Sequence, residues 1–93
     1  MSDDKNEVLD AVLAELSEQL EDASLALQQR GEWKSSRALY EAMPERRKSA
    51  SGDAEGLADL VREAEASRDL LSIASAEVEH QEIMAERGRA ERL

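Results

Sequence analysis

The sequence predicts an all-α fold in which two long helices form an antiparallel helical hairpin, joined by a short helix and a basic loop. Ala and Leu dominate the apolar residues and phenylalanine is absent, a composition typical of helices that pack side by side. Proline and glycine are scarce and stand outside the periodic runs. Both long runs have apolar residues at heptad spacing. Because 93 residues bury a modest fraction of their surface, the hairpin is expected to form a dimeric helical bundle.

The first long helix is predicted at about residues 4–30. Its apolar positions alternate spacings of four and three, which is the pattern of one packed seam. The seam consists of Leu9, Leu13, Leu16, Leu20, Ala23 and Leu27. Asp4 and Glu7 have the spacing of a capping box, and Arg30 before Gly31 is a plausible C-terminal stop.

The last helix is predicted at about residues 53–87, followed by a basic tail at 88–93. Its seam also alternates three and four, with less bulk than the first: Leu57, Leu60, Ala64, Ser67, Leu71, Ala74, Val78, Gln81 and Ala85. Ser51 or Asp53 can serve as the N-cap, and Arg87 before Gly88 repeats the stop of the first helix.

A second stripe runs along the last helix, about 120° around its axis from the first. It consists of Leu70, Ile73, Glu77, His80 and Met84. A helix with two stripes requires two neighbours. The second neighbour can be the joining segment, a second copy of the chain or a foreign protein.

The joining segment holds both aromatic residues and half of the basic residues of the chain. A short helix is predicted at about residues 32–43 and a basic loop at 44–52, because Pro44 ends or restarts a helix. Trp33, Tyr40 and Met43 share one face. They either close the core or form a binding surface together with Arg37, since Trp, Tyr and Arg are enriched in binding hot spots.

The net charge of −10 is unevenly distributed along the chain. Residues 1–27 carry −7, residues 28–52 carry +3, residues 53–86 carry −8 and residues 87–93 carry +2. The acidic surface makes direct nucleic-acid binding unfavourable. It favours instead a basic partner, so one hypothesis is an acidic inhibitor that mimics nucleic acid in the basic site of a nucleic-acid-handling protein.

The sequence holds no phosphate loop, no cysteine and no Ser-His-Asp set, and it has one histidine. We therefore expect no enzymatic activity and no cofactor. Glu77 and His80 have the Glu-x-x-His spacing found in di-iron helical bundles. A metal-binding dimer is thus a further hypothesis, in which an antiparallel hairpin brings Asp4 and Glu7 near this pair.

The leading prediction is a non-enzymatic protein–protein interaction module, such as an adaptor, a small chaperone or an inhibitor. It binds a protein partner, a second copy, or both. No apolar run approaches the ~18 residues of a membrane span, and the acidic N-terminus is unlike a signal peptide, so a cytoplasmic protein is expected. The predicted partner-binding residues are Trp33, Arg37, Tyr40, Met43, Leu70, Ile73 and Met84.

Overall fold

The computed structural model describes residues 3–91, with side chains from 6 to 89. This part of the chain is helical throughout and contains no strand, which confirms the all-α prediction. The four helices are α1 (Asp3–Asp22), α2 (Leu25–Gln28), α3 (Gly31–Ser49) and α4 (Ala54–Glu91).

The three longer helices run up, down and up, so α1 and α4 are parallel. Leu9 near the start of α1 packs with Leu57 near the start of α4. Farther along both helices, Leu20 packs with Val78, and Arg68 binds Glu15 between them at 2.7 Å. The predicted antiparallel hairpin of the two long helices is therefore wrong. The joining segment is long enough to return the chain to its starting end before α4 begins.

Pro44 does not end the joining helix. α3 continues through this residue to Ser49, so the boundaries predicted for the short helix and the basic loop, at 43 and 44–52, are wrong. Proline removes the N–H that would bond to the carbonyl of Tyr40, at a cost of about 3 kcal/mol or more. Tertiary contacts on either side offset this cost, because Met43 is buried and Arg47 binds Asp10 of α1 at 2.7 Å.

The first predicted helix is divided near its end. α1 stops at Asp22, and Ser24 begins the single turn of α2 as its N-cap. The Ser24 hydroxyl accepts a hydrogen bond from the Leu27 N–H at 3.3 Å, an alternative that serine offers to a continuous helix. The prediction of one helix over 4–30 is wrong at this point, although Leu27 still reaches the core.

The core consists of two stacked clusters. One joins the first half of α1 to the start of α4 and the second half of α3: Leu9, Val12, Met43, Leu57, Leu60 and Ala64. The other lies at the opposite end: Leu16, Leu20, Leu27, Leu71, Ala74 and Val78. In α4 the buried positions come from the predicted seam but end at Val78, since Gln81 and Ala85 are exposed.

The predicted glycine stops are not used. Gly31 begins α3 and Gly88 lies inside α4. The only positive φ among the described residues belongs to Gly52, at 84°, in the turn between α3 and α4. Asp53 then caps α4, as its carboxylate accepts from the Glu55 N–H at 3.2 Å.

α4 extends beyond the helices that pack against it. Its 38 residues span about 57 Å at 1.5 Å per residue, close to the 62 Å length of the molecule. Every residue from 79 to 89 is exposed. None of the described helices is both long and apolar enough to cross a membrane.

Candidate interaction surface

The side of α4 that faces away from the core carries bulky apolar side chains that are about half exposed. Leu70 is 48% exposed, Ile73 61%, Ile83 50% and Met84 51%. The predicted second stripe is thus left uncovered by α1 and α3. We call this side the outer face of α4, comprising residues 69, 70, 73, 76, 77, 80, 83, 84 and 87.

An ion pair neutralises Glu77, the carboxylate that lies between the apolar side chains of the outer face. Arg30, in the turn before α3, donates to Glu77 at 3.1 Å and to Glu32 at 3.0 Å. The hydrogen bonds that Arg30 donates to Glu32 and, to a lesser extent, to Glu77 raise the pKa of Arg30, and the bond from Arg30 lowers the pKa of Glu32. Glu77 therefore adds no free negative charge between the apolar side chains.

A single folded chain does not assemble the metal site, which was hypothesised for a dimer. Glu77 is engaged by Arg30, and His80 is exposed on the same helix. Within the described side chains, no group of three or more His, Asp or Glu residues could hold a metal ion. The expected approach of Glu7 is wrong because α1 and α4 are parallel, which places it at the other end of the bundle; the Asp4 side chain lies outside the described residues.

Trp33 closes the end of α1. Its indole Nε1 donates to the carbonyl of Leu20 at 3.3 Å, and its ring packs against the second core cluster. The carbonyls of the last turn of a helix lack intrahelical partners, so this bond satisfies one of them. The Arg37 guanidinium lies 5.2 Å from the centre of the indole ring, in the range of a cation–π contact.

The remaining predicted residues of the joining segment also point inward. Tyr40 is half-buried against the second core cluster, and Met43 is 1% exposed within the first. Met43 is therefore not exposed for contact with a partner in the folded chain. The structure separates the seven predicted residues: Leu70, Ile73 and Met84 are available on the outer face, whereas the aromatic residues and Met43 serve the core and Arg37 covers the indole.

Sequence reasoning missed Ile83. It lies beside the predicted stripe, displaced by about 100° around the helix axis from the centre of the stripe, so the stripe through Met84 did not include it. The signal that identifies it is a second register through Ile73 and Ile83, because their ten-residue separation fits heptad spacings of three, four and three.

A second surface feature is an acidic groove of ≈ 490 Å³ between α1 and α4. Four carboxylates line it: Glu15, Glu18, Asp22 and Glu79. Arg68 binds Glu15, and this hydrogen bond is the main reason that the pKa of Arg68 is raised. The groove is acidic because the parallel arrangement brings the two acidic segments of the chain together.

No protein-family model matches the chain, and neither a curated protein nor a solved structure gives a significant match. What the outer face and the acidic groove do must therefore be argued from their own geometry.

Proposed function

We propose that this chain is a non-enzymatic protein–protein interaction module whose binding surface is the outer face of α4. One observation carries the proposal: four bulky apolar side chains of a single helix are each about half exposed on the side away from the core. Apolar side chains grouped on one face, unlike ones scattered singly, mark a site of association.

The extension of α4 supports the same proposal. Residues 79–89 are all exposed in the folded chain, and isolated helical segments of this length are marginal in water. Ile83 and Met84 lie in this segment. A partner that covers them would stabilise the extension by packing, which is how most helices in proteins gain their stability.

The shape of the surface favours a helical partner. A narrow apolar stripe along a straight helix suits a second helix laid beside it, as in a helical bundle. Such a partner can be a second copy, giving a homodimeric bundle, or a helix of another protein. The Arg30–Glu77 pair at 3.1 Å keeps the stripe free of an unpaired carboxylate, which lowers the cost of covering it.

The proposal is tested by removing the apolar side chains without disturbing the core. The variant Ile73→Ala, Ile83→Ala should lose its macromolecular partner while keeping the helicity and unfolding midpoint that the chain has at low protein concentration, because both side chains are exposed. Partner binding is measured by affinity capture and sedimentation of full-length protein. The matched control is Leu25→Ala, which removes a side chain that is 77% exposed on a different helix and should change nothing.

Two outcomes contradict the proposal. If the double variant binds as the wild type does, the outer face is not the binding surface. If Leu25→Ala abolishes binding and the double variant does not, the surface lies near α2 instead.

The acidic groove favours a second candidate, an inhibitor that occupies a basic site on another protein. Its four carboxylates face one opening, and Arg68 neutralises only Glu15 among them in the structure. Binding through this groove should weaken steeply with added salt, whereas binding through the outer face should depend on salt weakly. Glu18→Gln with Asp22→Asn should reduce binding only under the inhibitor hypothesis.

A further inference from the structure

The outer face of α4 contains a complete heptad register. Six exposed residues follow one another at spacings of four, three, four, three and four: Asp69, Ile73, Ala76, His80, Ile83 and Arg87. At 100° per residue this line lies about 170° around the helix from the buried seam. A helix laid along it would contact α4 on the side opposite α1 and α3.

The residues along this register match those of a second copy that runs in the opposite direction. Asp69 and Arg87 lie at equal distances from position 78, as do Ile73 and Ile83. An antiparallel coiled coil of two identical helices therefore sets the aspartate of each chain against the arginine of the other, and isoleucine against isoleucine. The small Ala76 faces the larger His80, which suits close packing.

The edge of the register beside α3 shows the same complementarity. Leu70 and Met84 are both about half exposed and lie at equal distances from position 77. In an antiparallel pair, residues on this edge meet their counterparts on the same edge of the other helix, so Leu70 of each chain packs against Met84 of the other. All four exposed bulky apolar side chains of α4 then have apolar partners.

We propose that the occupant of the outer face is a second copy of this chain, paired antiparallel along residues 69–87 about a two-fold axis near Val78. This inference rests on the proposed function of the outer face and names its partner. A parallel copy would set Asp69 against Asp69 and Arg87 against Arg87, which is unfavourable. Binding to a helix of another protein would not explain why the residues of α4 match those of an antiparallel second copy.

The arrangement sets two carboxylates against their own copies. Glu77, at the centre of the edge beside α3, is paired with Arg30, so Glu79 provides the distinctive test. Glu79 lies on the other edge, next to the axis, so the two copies of Glu79 approach each other. Like charges across an antiparallel interface weaken pairing. The variant Glu79→Gln should therefore tighten the dimer, whereas Glu18→Gln, which neutralises an exposed α1 carboxylate of the same acidic groove, should leave it unchanged.

The main experiment measures the molar mass of the full chain by sedimentation equilibrium over a wide concentration range. The wild type should form a concentration-dependent dimer. Asp69→Arg and Arg87→Asp should each raise the dimer Kd by about tenfold or more, because like charges then face each other at both ends. An equimolar mixture of the two variants should restore association, since every end of the mixed dimer pairs opposite charges.

A wild type that stays monomeric throughout overturns the self-pairing, and the affinity capture of the Ile73, Ile83 variant then decides separately whether the face binds a foreign protein. A dimer that neither charge reversal weakens also overturns it, because another surface must hold the copies together. Helicity measured on each variant separates lost pairing from lost folding. If Asp69→Arg unfolds, Arg87→Asp in the extension and Glu79→Gln still test the register.

Discussion

α4 presents two faces that differ in composition although they belong to one helix. Its inner face buries Leu57, Leu60, Ala64, Leu71, Ala74 and Val78, none of which is more than 7% exposed. Its outer face has bulky apolar residues only at intervals, with charged residues between and beyond them. The inner face is covered by helices of the same chain and supplies most of the hydrophobic stabilisation. A sparser face of the outer kind suits contacts that form and dissociate.

The largest expected effect contrasts two residues that stand two positions apart. Leu71→Ala should lower the free energy of unfolding by about 2–5 kcal/mol, because it opens a cavity in the core where Leu71 is 1% exposed. Ile73→Ala should change it by about 0.5 kcal/mol or less, as expected for an exposed site. Urea unfolding at low protein concentration measures both. Equal losses would show that Ile73 is buried in the folded monomer.

The inner face was predictable from sequence, while the direction of the helices was not. Heptad spacing identified the buried residues of α4, and the N-cap signal at Ser51 or Asp53 placed the start of the helix at about 53, one residue before Ala54. Whether α1 and α4 run parallel depends on the length of α3, and this depends on whether the chain stays helical at Pro44. Local propensity favours an end there, and only the tertiary contacts of the neighbouring Met43 and Arg47 outweigh it.

The candidate surface was also predictable only in part. The second stripe indicated that Leu70, Ile73 and Met84 lack a neighbour within a two-helix seam, and these residues are exposed. The role of Trp33 could not be derived from its own segment, because its indole hydrogen bond requires the Leu20 carbonyl at the end of α1. That contact follows from where α1 stops and how α3 turns back, which no local pattern contains.

A smaller effect is expected where the inner face ends. Trp33→Phe keeps an aromatic ring but removes the Nε1–H donor, so the Leu20 carbonyl loses its partner at 3.3 Å. We expect a loss of about 1 kcal/mol in the free energy of unfolding. Tyr40→Phe is the control, since its hydroxyl makes no hydrogen bond to any described residue, and it should be nearly neutral. If both variants lose the same free energy of unfolding, ring packing rather than the hydrogen bond stabilises the end of α1.

The next prediction isolates the extension of α4 from the core. Gly88 is exposed and helical, and a Cβ added there meets nothing within 4 Å. Gly88→Ala should therefore favour the local helix by up to about 1 kcal/mol and raise helicity, measured by far-ultraviolet circular dichroism, without moving the unfolding midpoint of the bundle. Gly52→Ala is the contrast: its φ of 84° is strained for alanine, so it should lower the midpoint. A higher midpoint for Gly88→Ala would show that the extension folds cooperatively with the core.

The smallest expected effect concerns Arg30, which links the end of the bundle to the edge of the outer face. Because hydrogen bonding to Arg30 holds the pKa of Glu32 below its ordinary 4.5, ionised Glu32 stabilises the fold above that pH. This contribution is lost as the pH falls through the lowered, folded-state pKa. Glu32→Gln should therefore lower the unfolding midpoint at neutral pH, and its midpoint should approach that of the wild type as the pH falls. Glu21→Gln, on the exposed surface of α1, is the control, and the difference between its midpoint and that of the wild type should not shrink in this way. A difference between wild type and Glu32→Gln that persists unchanged in strong acid would mean that Glu32 acts through its packing and not through its charge, and that Arg30 is held in place by Glu77 alone.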